Sequence, residues 1–237
     1  MKDLLVDLGN SRIKLAWAGA EGIDFLGSFG DYGAALDVPR ALPDRVWLSS
    51  VADSKSEGRL RELLRERWDC PVREVSVARY AQHLPTRYAA DQLGVDRWLA
   101  MLACRGFCAG AFLVVDCGTA ITLDQVDGQG VHVGGYILPG FPMMQAALLD
   151  GTSITLRAAR GPDAALPCDT AAAISRGSRT AVAALIERMA RHEDAGLRIF
   201  LGGGDAAALA PLLPITHDIV GQLVLLGLSR LSRLENN

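Results

Sequence analysis

One pattern occurs twice in this chain. LLVDLGNSRIKL (4–15) and LVVDCGTAITLD (113–124) each run an apolar strand into an aspartate, then one further residue, a glycine, a small polar residue and a second strand. Asp7 aligns with Asp116, Gly9 with Gly118, and Asn10 with Thr119. A repeated supersecondary unit limits topology more sharply than composition does, because each copy must build the same local structure. A carboxylate at the end of a buried strand is costly unless something pairs with it, so each copy needs a reason for its aspartate. Taken alone, either copy also reads as a β-hairpin with a capping Asp, since Gly-Asn followed by alternating residues is a hairpin signal.

The surroundings of the two copies run in parallel. After the first, RIKLAWAG and GIDFLGSF complete a three-strand meander, and RVWLSSV (45–51) reads as a fourth strand. SEGRLRELLRERW follows with Leu60, Leu63, Leu64 and Trp68 at helical spacing. VREVSV reads as a strand and ADQLGVDRWLAMLACRGFC as a helix with a glycine near its start. The second copy opens AFLVVDCG, TAITLDQV and GVHVGGYIL, another meander. Helices are expected at PGFPMMQAALLD, CDTAAAISRGSRTAVAALIERMARHE, DAAALAPLL and DIVGQLVLLGLSRLSRL, with the strand LRIFLGGG between the second and third. The expected organisation is α/β in two domains, 1–110 and 111–237, with the boundary near Gly110. At 237 residues, half of them hydrophobic, the chain can bury two such cores.

Charge and cysteine usage exclude several classes. The net charge is −3, and no Lys/Arg cluster suggests a nucleic-acid groove or a basic membrane-binding face. No apolar stretch reaches membrane-spanning length, and the N-terminus lacks the apolar core of a signal peptide. A cytoplasmic protein is expected. The five cysteines lack metal-site spacing and read as free thiols used in packing, and the four histidines are scattered.

A tight glycine turn exposes backbone N–H groups that suit phosphate oxygens. Asn10, Ser11 and Thr119 add side-chain donors, and Lys14 adds a positive charge a few residues along the second strand. Carboxylates repel phosphate directly, but Mg2+ takes one or two carboxylates together with phosphates and water. Asp7 is then tolerated beside a magnesium–nucleotide complex. No G-x-x-x-x-G-K-[ST] loop occurs, which removes the P-loop alternative.

Paired Asp-Gly hairpins of this kind resemble the actin, Hsp70 and sugar-kinase superfamily, whose two ribonuclease-H-like domains hold ATP in the cleft between them. That likeness implies a mixed sheet with flanking helices in each domain. It also assigns the late GGGDAA turn, through Gly203 and Gly204, to the adenosine. The plainer reading of the same turn is a strand-to-helix connection.

DLGNSRIK, YAADQLGVDRW, DCGTAITLD and GGYILPG occur in that order. Together they resemble the type III pantothenate kinases, which open coenzyme A synthesis, from Asp7 to about Thr170. The resemblance implies transfer of the ATP γ-phosphate to the hydroxyl of pantothenate, giving 4′-phosphopantothenate. It implies that Asp7 through Lys14, with Gly9, Asn10 and Ser11, hold the ATP phosphates, and that Gly118 and Thr119 contact the nucleotide. Asp96 is the implied proton acceptor, and Gly94, Val95, Asp96 and Arg97 line the implied pantothenate pocket with Tyr88. Asp116 is implied to bind potassium or ammonium, Asp7 to meet Mg2+ through water, and Thr170 to reach the substrate from the partner subunit of a homodimer. Two other functions fit the likeness less fully: a nucleotide-binding regulator of the accessory transcription factor kind, and a kinase for another small alcohol.

The residues also admit plainer roles. LGVDRW reads as a helix N-terminus with Asp96 favoured by the helix dipole and Arg97 as a surface charge. Tyr88 reads as a packing residue, Thr170 as a residue near a helix N-cap, and Asp124 as a solvated strand end. Gly134, Gly135, Pro139 and Gly140 read as shaping a turn. The apolar stretches 171–185 and 219–228 suit either a dimer interface or a core.

Overall fold

A computed structural model describes residues 2–20, 22–155, 166–191 and 196–236. They form two compact units, one of Met1–Gly110 with Val126–Gly134 and Gln222–Asn237, the other of Ala111–Gln125 with Gly135–Gly221.

The first unit holds a five-stranded sheet. Its strands are β1 (Asp3–Leu8), β2 (Ile13–Ala18), β3 (Ile23–Phe29), β4 (Arg45–Ser50) and β5 (Val72–Glu74), in the order β3-β2-β1-β4-β5. β1, β2 and β3 form the expected antiparallel meander, and β4 and β5 continue the sheet in parallel. The second sheet comprises β6 (Phe112–Cys117), β7 (Ala120–Val126), β8 (His132–Pro139), β9 (Arg198–Gly202) and β10 (Asp218–Ile219). Its order is β8-β7-β6-β9-β10, the first order with five added to every strand. The repeat seen in two twelve-residue stretches therefore extends to the whole sheet.

Every residue of β1 is buried, so both faces of the first sheet are covered. Leu4, Val6 and Leu8 alternate onto one face, where they meet Leu60 and Leu64 of α2 (Ser54–Arg67) and Ala35 and Leu36 of α1 (Tyr32–Leu36). Asp3, Leu5 and Asp7 share the other face. There α4 (Val95–Cys104) and α8 (Leu223–Leu234) pack together so closely that a Cβ at Gly227 would lie 2.1 Å from the Leu99 carbonyl oxygen. Glycine at 227 is what allows that approach. In the second unit, Leu113, Val115, Ile121, Leu123, Ile199 and Leu201 form a core with Val182, Ala183 and Ile186 of α6 (Thr170–Ala190).

Several boundaries differ from the sequence reading. The helix expected from residue 90 begins at Val95, because Gly94 holds an extended backbone at its N-cap. The final helix begins at Leu223. Asp218–Ile219 instead pairs with β9 as an edge strand, and Gln222 turns the chain in a left-handed conformation. DAAALAPLL yields only α7 (Ala206–Leu209) and a short 3-10 turn, since Pro211 cannot extend the helical ladder. α1 and α3 (Val77–Tyr80) were not foreseen. Asp124 is not a solvated strand end; it is 2% exposed within β7, with Gly135 of β8 close against its side chain. Gly134 and Gly135 likewise lie inside β8 and not in a turn. Of the stretch 171–185, only Val182 and Ala183 are buried. All five cysteines are free thiols.

A second buried carboxylate escaped the sequence reading. Asp3 is 3% exposed and accepts hydrogen bonds from Arg45 (2.5 and 3.2 Å), Trp47 Nε1 (3.0 Å) and Ser232 Oγ (2.7 Å). Burial pushes its pKa up, but the donors Arg45, Ser232 and Trp47 together outweigh burial and hold the carboxyl below its ordinary value. A folded-state pKa below the unfolded one adds stability that is full above the unfolded value, about 3.9, and fades as pH falls through the folded value. Asp3→Asn leaves the Arg45 guanidinium without its buried counterion, so urea unfolding at pH 7 should show a loss of about 3–5 kcal/mol. The same variant should show a flatter pH dependence of stability below about pH 4 than the parent chain.

Candidate active site

The first hairpin turns between β1 and β2, where Gly9 N–H donates to the Arg12 carbonyl at 3.0 Å. Asp7 and Lys14 are register partners on these strands, and Lys14 Nζ stands 3.9 Å from Asp7 Oδ2. Asp7 is 6% exposed, whereas Asn10 and Ser11 at the tip are open to solvent. The tip borders a pocket of about 440 Å³ that also takes in Lys55, Ser56 and Arg59 from the first turns of α2. Lys55 and Arg59 were missed in the sequence. Their signal was there, two cations four residues apart at the start of a helix that directly follows a parallel strand, where α/β folds place their ligands. Arg12 is held to one side by Ser28, whose Oγ and carbonyl each accept from its guanidinium at 2.8 Å. Ser49 of β4 is the register partner of Asp7, and its buried Oγ has no hydrogen-bond partner among the described residues.

The second hairpin turns between β6 and β7, closed by Gly118 N–H to the Ala120 carbonyl at 3.1 Å. Two other glycine segments press against it. A Cβ on Gly203, which holds φ +84°, would lie 2.2 Å from the Cys117 carbonyl oxygen and 2.6 Å from Asp116 Oδ1. A Cβ on Gly140 would lie 2.4 Å from the Thr119 carbonyl oxygen, to which Gly140 N–H donates at 3.0 Å. Asp205 N–H, just past Gly204, donates to the Cys117 carbonyl at 3.2 Å. Thus Asp116, Gly118, Thr119, Gly203 and Gly204 come together at one corner of the second unit. The field there is acidic. Burial first, then the nearby charges of Asp116 and Asp205, push the Cys117 thiol up to about 12, so this cysteine stays protonated and unreactive.

The third group lies at the start of α4. Gly94 is the N-cap, and Val95, Asp96 and Arg97 form the first turn. Asp96 Oδ1 accepts from the Arg97 N–H at 2.8 Å. A Cβ on Gly94 would lie 2.6 Å from that same oxygen, so only glycine leaves the carboxylate its place. Arg97 is not a surface charge. It is 7% exposed, and its Cζ lies 5.5 Å from the centre of the half-buried Tyr88 ring, within cation–π range. Thr170 opens α6 but does not cap it. Asp169 caps the helix, accepting from Ala172 N–H at 2.9 Å. Thr170 borders a cavity of about 650 Å³ with Leu148, Cys168, Ile174 and Ser178.

Comparison with known proteins identifies the family. The sequence profile of the type III pantothenate kinase family matches residues 3–192. The type III pantothenate kinase of Chromobacterium violaceum is 36% identical, over 97% of this chain and 98% of the relative. That of Marinobacter nauticus is 34% identical, over 97% of each. Among solved structures, a Campylobacter jejuni protein described as a Baf family transcriptional activator superposes with a TM-score of 0.66 at 21% identity, covering 99% of this chain and all of the other. A Listeria monocytogenes protein described as an N-acetylmannosamine kinase gives 0.56 at 16%, with full coverage of both. At these identities the likeness is one of fold, two five-stranded mixed sheets each flanked by helices. The chain belongs to the type III pantothenate kinase family.

Proposed function

We infer that this chain transfers the γ-phosphate of ATP to the hydroxyl of pantothenate, the reaction of its family, and that the three groups above divide the work. The observation that carries the assignment of the acceptor site is the Gly94–Asp96–Arg97 turn. It combines a carboxylate seated at a helix N-terminus with a buried guanidinium stacked on Tyr88. Few non-catalytic roles call for both at once.

Phosphoryl transfer passes through a loose transition state, so positioning and charge stabilisation dominate. A carboxylate is too weak a base to ionise an alcohol beforehand. Asp96 therefore orients the pantothenate hydroxyl and takes its proton late, as the new O–P bond forms and the bond from the γ-phosphorus to the β–γ bridging oxygen breaks. Gly94 and Val95 shape the pocket wall. Arg97, held by Tyr88, offers a planar cation suited to a carboxylate such as that of pantothenate. At the first hairpin, the Gly9 turn, Asn10, Ser11 and Lys14 receive phosphate oxygens, with Lys55 and Arg59 adding positive charge nearby. Gly118 and Thr119 meet the nucleotide, and Gly203 and Gly204 its adenosine.

A divalent ion accompanies ATP in this family. The oxygen set at the first hairpin suits it, since the Asp7 carboxylate lies in register with the unpartnered Ser49 hydroxyl, and both can bind waters of a hydrated Mg2+. When bound, such an ion neutralises charge on the phosphates. A monovalent cation, potassium or ammonium, suits Asp116, where a second carboxylate, Asp205, adds to the negative field. A homodimer in which Thr170 reaches the partner's substrate fits the exposed apolar side chains Tyr136, Ile137, Met143 and Leu148 on β8 and α5 (Phe141–Gly151). No described helix is long and apolar enough to cross a membrane, and a cytoplasmic location fits the reaction.

Asp96→Asn should lower kcat by about 10²–10⁴-fold while the KM values for ATP and pantothenate stay within about threefold, in a coupled ADP-release assay. Near-normal turnover would remove Asp96 from the chemistry. Running the same assay over a potassium titration should show that Asp116→Asn needs several-fold more cation for half-maximal rate. An unchanged titration curve would place the cation elsewhere. A panel of other primary alcohols in place of pantothenate should give little ADP release above background.

A further inference from the structure

Residues 85–89 carry Tyr88, yet they belong to no helix and to no sheet beyond one bridge. That bridge pairs Thr86 with His132, the first residue of β8. His132 is wholly buried, at 0% exposure. Its N–H donates to the Pro85 carbonyl at 2.8 Å, and its own carbonyl accepts from Arg87 N–H at 3.0 Å. The imidazole adds two further ties. Nδ1 shares a hydrogen bond of 2.8 Å with Thr86 Oγ1, the same oxygen that accepts from Tyr88 N–H at 3.1 Å. The ring also packs against the Tyr88 ring, centroids 5.0 Å apart and inclined by 49°. Tyr88 in turn lies beneath the Arg97 guanidinium, next in sequence to Asp96. Backbone pairing alone would hold the segment at any residue type. Both side-chain ties instead converge on Tyr88, one through its amide and one through its ring.

We propose that His132 is a positioning residue for the acceptor site, setting Tyr88, and through it Arg97, in the place that binds the anionic alcohol substrate. The proposal rests on the kinase reading above. None of the first-hairpin residues that meet ATP phosphates depends on this chain of contacts. Its loss is therefore felt on the pantothenate side.

Thr86→Val keeps the shape of the side chain but removes Oγ1, and Thr86→Ser keeps the oxygen. His132→Phe keeps a ring against Tyr88 but removes the nitrogen. Thr86→Val and His132→Phe should each raise the KM for pantothenate about tenfold, the scale of one lost buried hydrogen bond, with the KM for ATP changed less than about twofold. Thr86→Ser should stay near the parent value. The double variant Thr86→Val/His132→Phe should be little worse than either single one, as expected for two ends of the same bond. Pantothenate binding by calorimetry should follow the same order. Thr86 is only part-buried, so Thr86→Val tests the idea even if His132→Phe fails to fold. An unchanged pantothenate KM in Thr86→Val, or equal rises for both substrates, would overturn the role of His132 and leave the kinase reading intact. A parent chain that releases ADP without any dependence on pantothenate would overturn both.

Discussion

In each sheet of this protein the next-to-last residue of the central strand is an aspartate, Asp7 buried and Asp116 half-buried, and a charge drawn out of water there has to be offset. The two units solve the problem differently. Beside Asp7 the neighbouring strand supplies a lysine whose Nζ stands 3.9 Å from the carboxylate. Beside Asp116, glycines at 140 and 203 let two further segments approach the turn without a side chain between them. The first corner thus sets the cations Arg12, Lys55 and Arg59 among the capping carboxylates Asp31 and Asp53, and the second carries Asp116 and Asp205.

Much of this was written plainly in the sequence. The doubled strand-Asp-x-Gly pattern foretold two sheets, and their identical strand order carries the duplication further than the motif alone could. Gly94, Asp96 and Arg97 drew attention through the family resemblance, since their own stretch reads as an ordinary helix start, and the structure gives Gly94 a definite steric duty toward Asp96. What stayed hidden was set by tertiary context. Asp3, Asp124 and His132 sit in stretches whose local pattern has no mark of burial, and all three are inside because strands or helices distant in sequence cover them. Helix starts were misjudged wherever a glycine or a left-handed residue broke a periodic apolar run, as at Gly94 and Gln222. Periodicity reports which face a residue would occupy in a helix; it does not report where the helix begins.

The acceptor region also illustrates how a loop gains the rigidity that binding needs. Residues 85–89 have no ladder of their own, yet a single buried histidine supplies backbone and side-chain ties to them. Side chains on an otherwise irregular segment are then nearly as fixed as side chains on a strand.

The Asp3–Ser232 hydrogen bond joins β1 to α8 within one unit, and the Gly227–Leu99 contact seats α8 against α4. During synthesis the opening strand leaves the ribosome more than two hundred residues before the helix that covers it. The first unit therefore cannot seal as it emerges. It must wait, one flank of its sheet covered by α4 without α8, while the entire second unit is made, so the unit encoded in the middle of the message has the earlier opportunity to fold.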